Sequence, residues 1–433
     1  MLARLPALMF LVSLLFAAVV YGIFAQIYGL FPEPQLHAVA VALQRVFGED
    51  KYLFFPAPES GDSPTRTIYP DKLSPGLVFV QGVNAKRQIF ARVMDRDGTV
   101  VHEWRPDWFK VWGSEGAFPD DVRPKQKPGV ILMGAQILPS GDLVANFHGL
   151  STFRMDPCGN VVWKLQNYGH HSLELTDDGA MWVGAERGYE EGTRYPNYAA
   201  DSDYWVLQKI SLDGTILRNI DVLDVLHKNG LEGLMYLSTT SDKYTAVFGD
   251  TMHLNDVEAY PSGWPSQVFS PGDIMFSLRN INSVLVIDPE TLQIKFRTTG
   301  RVLRQHDPDF MPGDRISIFD NHNLTPDLSF ADSASRVVEI DARTGALRDI
   351  LDGAGPTYFF SQRAGSHQRL PNGNILVQSE SGGRVMEFLP DGRLAWSWNN
   401  RISLTKNAIV NGAQILPPQM NRAFFKTLDA TCA

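Results

Sequence analysis

Residues 304–323 read RQHDPDFMPGDRISIFDNHN, from Arg304 to Asn323. The pattern is that of an inner hairpin: a short strand opened by His306, a Pro312-Gly313 turn, and an alternating strand from Arg315 to Phe319 that ends in Asp320-Asn321-His322-Asn323. In an antiparallel hairpin the end of the second strand lies beside the start of the first, so His306 is expected to face that polar run. Two polar clusters then meet at one point.

Working outward, a second kind of hairpin, two alternating strands around a turn built on Asp and Gly, recurs six times, centred on Gly98, Gly159, Gly214, Thr291, Gly345 and Gly392. Upstream of each stands a glycine followed by an apolar strand, at Gly76, Gly141, Gly179, Gly272, Gly313 and Gly373. Six blades of four strands account for both series. The first copy lacks an innermost strand, and residues 412–417 (GAQILP) repeat residues 134–139 letter for letter. The expected fold is therefore all-β, a six-bladed β-propeller closed by a C-terminal strand, since closure hides the sheet edges an open array would expose. Trimming Leu428 to Ala433 is expected to have a mild effect.

The ends and the composition narrow the function classes. Residues 5–31 carry no charge and are mostly Leu, Ala, Val, Phe and Ile, long enough as a helix to span a bilayer. No small-residue cleavage site is evident, so residues 1–31 read as a transmembrane signal anchor. Arg4 favours a cytoplasmic amino terminus, which puts the propeller in the periplasm of a Gram-negative cell, held to the inner membrane by a single pass. Residues 32–75 read as a juxtamembrane helix over 35–47 and a Pro/Ser/Gly-rich linker, and residues 76–433 as the ring. A net charge of -9 without a basic cluster argues against nucleic acid as a partner. Cys158 and Cys432 are the only cysteines; in an oxidising compartment they could pair and tie the tail to a hairpin turn, or stay as free thiols. No glycine-rich phosphate loop or dinucleotide fingerprint is present, and neither a cofactor nor a metal is expected on the leading reading.

Innermost strands line a propeller's axis. His171, His253 and His306 each stand four residues before an apolar residue, Leu175, Val257 and Phe310, at one point of the repeat, and His367 is at nearly that point in the last blade. Second strands should bring His148, Arg187, Arg279, residues 320–323 and Glu380 to the same mouth. Imidazoles can act as nucleophiles, bases or oxyanion donors, and arginine adds a permanent planar cation, a set suited to an anionic group in transit. Three histidines and a carboxylate could equally hold a metal. Long insertions carry aromatics, Tyr195, Tyr198, Tyr358, Phe359 and Phe360 among them, which either cap the core or line a pocket.

At these residues the sequence resembles the bacterial arylsulfate sulfotransferases. The His253-Leu254-Asn255-Asp256-Val257 segment is similar to that family's His-x-Asn-x-Val/Ile motif, and Ser277-Leu278-Arg279, Gln305-His306 and Phe319-Asp320-Asn321 support the likeness, as does the His170-His171 pair. The resemblance implies that His306 becomes transiently sulfurylated while His171, His253 and Arg279 hold the sulfuryl oxygens and assist proton transfer, without a nucleotide donor. His170, Asn255, Asn321, His367 and Tyr358 are the expected substrate contacts. The implied partners are a small aryl sulfate and a phenol. A metal-dependent hydrolase using the same histidines, or a propeller that only binds, are the alternatives.

Overall fold

The computed structural model describes residues 5–28, 30–31, 53–57, 63–113, 118–120, 122–188, 195, 198–237, 247–323, 333–355 and 358–432. The chain forms two compact units, Met1–Leu53 and Phe54–Ala433.

In the first unit Leu5–Tyr28 is one uncharged 24-residue helix. Met9, Phe10, Leu11, Val12 and Leu14 point in successive directions around it and all are exposed, so the helix is apolar on every face. Among the described residues no helix is long and apolar enough to cross a membrane. The helix expected over 35–47 lies outside the described residues.

Among the described residues the second unit holds seven sheets: six have, or contain, four antiparallel strands, and the seventh is a small sheet of Phe54–Pro56, Lys406–Ala408 and Arg401–Ser403. Five of the six hold four consecutive strands in simple up-and-down order, the last of these joining Ser366–Arg369, Ile375–Ser379, Arg384–Phe388 and Leu394–Asn399, and the sixth puts Val410–Ile415 inside Val78–Val83, Ile89–Met94 and Val100–Trp104. Their innermost strands touch in sequence, Leu132–Ile137, Gly169–Leu175, Leu254–Ala259, His306–Met311, Ser366–Arg369 and Val410–Ile415, and the last touches the first. The result is a closed, propeller-like ring. Outer hairpins turn at glycines in the left-handed region, as at Gly214 (φ +89°) and Gly392 (φ +81°). The copy that lacks a turn glycine places Leu292 there instead, at φ +58°.

Alternation along the second strands makes the core. Ile274, Phe276 and Leu278 face the preceding sheet with Trp182 and Leu207, while Met275, one residue out of phase, faces the following sheet with Ile316 and Ile318. Both faces are covered, which is why these strands are apolar almost throughout.

Ring closure follows the hexapeptide repeat: Ala413 pairs with Val80, Gln414 with Phe79 and Ile415 with Val78. The seam is pinned by the buried Glu387 carboxylate, which accepts from Ser74 N at 2.8 Å and pairs with Arg96 at 2.7 Å. Two expectations need correction. The compact unit begins at Phe54 rather than at residue 76: Phe54–Pro56 pairs with Lys406–Ala408, and Thr65–Thr67 adds a fifth strand outside Leu394–Asn399. The tail is not idle either. The helix Arg422–Thr431 buries Phe425, packs Leu428 on the core, sets Asp429 Oδ1 2.6 Å from His102 Nδ1 and ends in a disulfide from Cys432 to Cys158.

Candidate active site

The site is made by irregularities in the innermost strands. Five of the six slip register near their start, between Leu132 and Ala135, His170 and Leu173, Leu254 and Asp256, His306 and Pro308, and Val410 and Gly412. Such bulges re-aim side chains. They force L-residues into the left-handed region, His171 at φ +54°, His253 at +55° and Asp307 at +51°, each costing about 1–3 kcal/mol that surrounding structure must offset. Strain held at histidines is a pointer to function.

The rings gather closely. His171 Nε2 lies 3.1 Å from His253 Nε2, so one proton serves the two atoms. His171 and His306 have ring centroids 5.4 Å apart, and the His170 centroid is 4.3 Å from those of both His148, tilted by 40°, and His171, edge-on at 64°. Asp250 accepts from His253 Nδ1 and offsets part of the burial that lowers the His253 pKa. Arg279 stands beside this group, its Nη2 3.9 Å from Asp250 and its Nε donating to Asn280 Oδ1 at 3.1 Å.

The tautomer of His306 can be assigned from its neighbours. Nδ1 lies 3.1 Å from the Arg304 carbonyl, which only accepts, and 2.7 Å from Asn321 Oδ1. The Asn321 amide is oriented by its own Nδ2, which donates to the carbonyls of Ser361 at 2.9 Å, Ala364 at 3.2 Å and Arg363. Nδ1 therefore carries the hydrogen, and Nε2 keeps its lone pair. That Nε2 is buried and has no hydrogen-bond partner among the described residues. Burial first, then the nearby Arg279 charge, pushes the His306 pKa down to about 3, so the ring is neutral at ordinary pH. Burial likewise lowers His148 to about 4 and holds His170 and His171 well below the usual imidazole range. Desolvation pushes Arg279 down to about 10, still a cation.

His171 and His306 also line a cavity of about 650 Å3 on the axis, whose wall carries Glu174, Asp256, Glu258, Asp307 and Asp309. Burial raises Glu174 to about 7 and holds Asp256, Glu258 and Asp309 well above the usual carboxylate range, with mutual repulsion adding to it. Among the described residues two groups have ligand atoms close enough for a metal, His148–His170–His171 and Asp307–Asp309–His367, each set within 4.8 Å.

Of the residues singled out from the sequence, His170, His171, His253, His306, Arg279 and Asn321 come together. Asn255 is near by but spends its Nδ2 on the Gln305 carbonyl at 2.7 Å. His367 keeps different company: its strand runs without a bulge, pairs His367 with Val377, and delivers the ring to Asp307 at 3.0 Å and Ser317 Oγ at 2.8 Å. Tyr358 is off the cavity wall and donates to the Ser333 carbonyl at 2.8 Å. Phe359 and Tyr195 belong to the core. Asp320 serves structure, through Arg336 and Leu303 N, and Glu380 lies 3.7 Å from Arg363 Nε. The side chain of Arg187 lies outside the described residues. Sequence reasoning missed Asp250, for which a carboxylate three residues before His253 was the only signal, and the channel carboxylates, which the alternation Asp256-x-Glu258 and Asp307-x-Asp309 does signal.

No curated protein matches the chain. Solved structures similar to it include a streptogramin B lyase (10% identity, 84% of this chain and 100% of that one, TM-score 0.40). Others are virginiamycin B lyase from Staphylococcus aureus (10%, 67% and 86%, 0.35) and hydrazine synthase from Kuenenia stuttgartiensis (13%, 75% and 79%, 0.41). Likenesses this distant carry no argument about activity. The family profile described as Arylsulfotransferase (ASST) matches residues 134–401, a span that holds every histidine of the cluster together with Arg279 and Asn321 and amounts to more than half of the sequence. By that match the chain belongs to the arylsulfotransferase family.

Proposed function

We propose that the protein moves a sulfuryl group from an aryl sulfate donor to a phenolic acceptor through a sulfohistidine on His306. The observation that carries the reading is the unpartnered Nε2 lone pair of a neutral His306 whose Nδ1–H is held by Asn321 and the Arg304 carbonyl. In the first half-reaction Nε2 attacks sulfur, the sulfur–oxygen bond to the aryl group breaks, and the departing oxygen takes a proton from the His253–His171 pair, which Asp250 supports. In the second, the acceptor oxygen attacks the same sulfur, its proton returns to the pair, and the lone pair returns to Nε2. Sulfuryl transfer, like phosphoryl transfer, gathers charge on equatorial oxygens, and Arg279 is the fixed cation nearest to meet it.

The test is a burst. With 4-nitrophenyl sulfate and no acceptor, the protein should release phenol about equal to enzyme and gain the mass of one sulfuryl group, mapped to His306. His306→Asn should lose both, and a mass gain that persists in that variant would reject the intermediate. One observation favours a second reading, a metal-dependent hydrolase, namely the approach of the His148, His170 and His171 nitrogens. Stoichiometric zinc in the purified protein, with activity lost to a chelator, would select it.

We also propose that residues 1–31, of which the helix Leu5–Tyr28 is the described part, anchor the protein in the inner membrane with the ring in the periplasm. An uncharged apolar helix and the Cys158–Cys432 disulfide support this. Release into the soluble fraction by an alkaline carbonate wash would count against it.

A further inference from the structure

The transfer chemistry proposed above leaves the carboxylates of the axial cavity without a task. Five of them, Glu174, Asp256, Glu258, Asp307 and Asp309, share its wall with His306. The wall's one arginine among the described residues, Arg369, is acted on by the opposite charge of Glu339 rather than by any of the five. His367 is committed through Nδ1 to Asp307 and through Nε2 to Ser317 Oγ.

A second observation is independent of those charges. Four buried amides line the same cavity; Gln378 accepts from Ser366 Oγ at 3.2 Å, and the other three are Gln81, Asn255 and Asn411, at 3%, 4% and 8% exposure. Each directs its NH2 elsewhere: Gln81 to the Asn411 carbonyl at 3.3 Å, Asn255 to the Gln305 carbonyl at 2.7 Å, Asn411 to Met133 Sδ at 3.6 Å. The side-chain oxygen of each is left with no donor. With a cation in the cavity the crowded carboxyls can ionise, and with the orphaned amide oxygens they then make a wall that accepts hydrogen bonds and donates few. What completes it is a ligand that brings donors and positive charge.

Size and the rest of the lining say which kind. A bare ion needs a few tens of cubic ångströms, whereas a cavity of about 650 Å3 has room for an organic molecule, and Phe79, Met133, Trp264 and Phe310 offer it apolar surface. Aromatic faces also favour an ammonium over an anion. We propose that the axial cavity is a subsite for an organic ammonium group carried by the molecule that meets His306, so that amine-bearing phenols are accepted ahead of neutral or anionic ones. The preference among acceptors rests on the sulfuryl-transfer reading; the binding of the ammonium does not.

Two arms keep those apart. In the first, phenethylammonium, which has no hydroxyl to sulfurylate, is titrated calorimetrically into the full chain. It should bind saturably, and Glu258→Gln with Asp309→Asn should weaken binding about tenfold or more, because paired charges in a poorly solvated site are removed. Both changes relieve repulsion in the empty cavity, so melting temperature should hold or rise, which separates lost binding from lost fold. No binding, or binding that the double variant leaves unchanged, overturns the subsite; so does calcium or manganese binding there and displacing the amine. In the second arm, 4-(2-aminoethyl)phenol, 4-ethylphenol and 3-(4-hydroxyphenyl)propionate compete as acceptors from 4-nitrophenyl sulfate. The amine should lead in kcat/KM by about tenfold, and the lead should vanish in the double variant. Equal rates overturn the preference. Amine binding that the double variant abolishes, with no phenol sulfurylated, upholds the subsite and rejects the transfer.

Discussion

Replacing Asn321 by alanine removes the side chain that fixes the reactive ring without touching the ring itself. His306 Nδ1–H then loses its 2.7 Å acceptor, and a buried donor left without a partner costs about 1–3 kcal/mol. The loss is not complete, because the Arg304 carbonyl remains 3.1 Å from the same nitrogen, which confines the effect to the lower part of that range, about 1–2 kcal/mol. At 1.36 kcal/mol per factor of ten, the burst rate constant should fall by about 5- to 30-fold. Burst amplitude should stay at one phenol per enzyme, since the nucleophile is intact. The carbonyls of Ser361 and Ala364 also lose a donor, so melting temperature should drop modestly. Stopped-flow release of 4-nitrophenol measures rate and amplitude together. A folded variant whose burst rate lies within twofold of the parent would refute the claim that this pairing sets the tautomer.

Stopping the chain after Thr427 removes Leu428, Asp429 and the disulfide to Cys158, and should lower the melting temperature substantially, since loss of a native disulfide costs about 2–5 kcal/mol. Reductant alone should reproduce most of the drop, and calorimetry showing neither would contradict the packing of the tail. Stability should also have two pH limits. The lowered imidazoles contribute fully above their ordinary 6.5 and lose that contribution as pH falls toward about 4 for His148 and about 3 for His306. The raised carboxyls run the other way, contributing fully below their ordinary 4.5 or 3.8 and losing it as pH rises through about 7 for Glu174. Thermal melts across the range should show a plateau from about pH 4.5 to 6.5 with a fall on both sides, and a steady rise from acid to alkaline would contradict the assignment.

Most of the ring was legible because turns and alternation are local. Gly98 or Gly392 announces its hairpin within a few residues, and the identical hexapeptides at Gly134 and Gly412 announce closure. His171, His253 and His306 were legible because they recur. What escaped depends on register. One bulge more or less decides whether a strand-opening histidine meets the cluster, and the strand of His367 has none, so its ring goes to Asp307 instead. The acidic wall sits on the same strands at alternate positions, Asp256 and Glu258, Asp307 and Asp309, where a period of two puts both carboxylates on the axis. Asp250 stands in a connection with no period at all. Tyr358 shows the opposite error, an exposed-looking aromatic in a long loop whose hydroxyl is tied to Ser333.

The closing strand has a consequence for the order in which the protein can be made. Gln81 and the Asn411 carbonyl it donates to are 330 residues apart, and Asn400 reaches the Val83 carbonyl across 317. A chain emerging amino terminus first can pair strands within each hairpin as it appears, but the edge of Val78–Val83 must wait, open, until Val410–Ile415 exists. Long-range pairing of this kind is slow because loop closure precedes its reward. The histidines are all synthesised long before that moment, yet the wall opposite them, with Gln81 and Asn411, is assembled last. A nascent or prematurely ended chain thus holds its reactive nitrogens in an unfinished channel, and competence arrives in one step with the final strand.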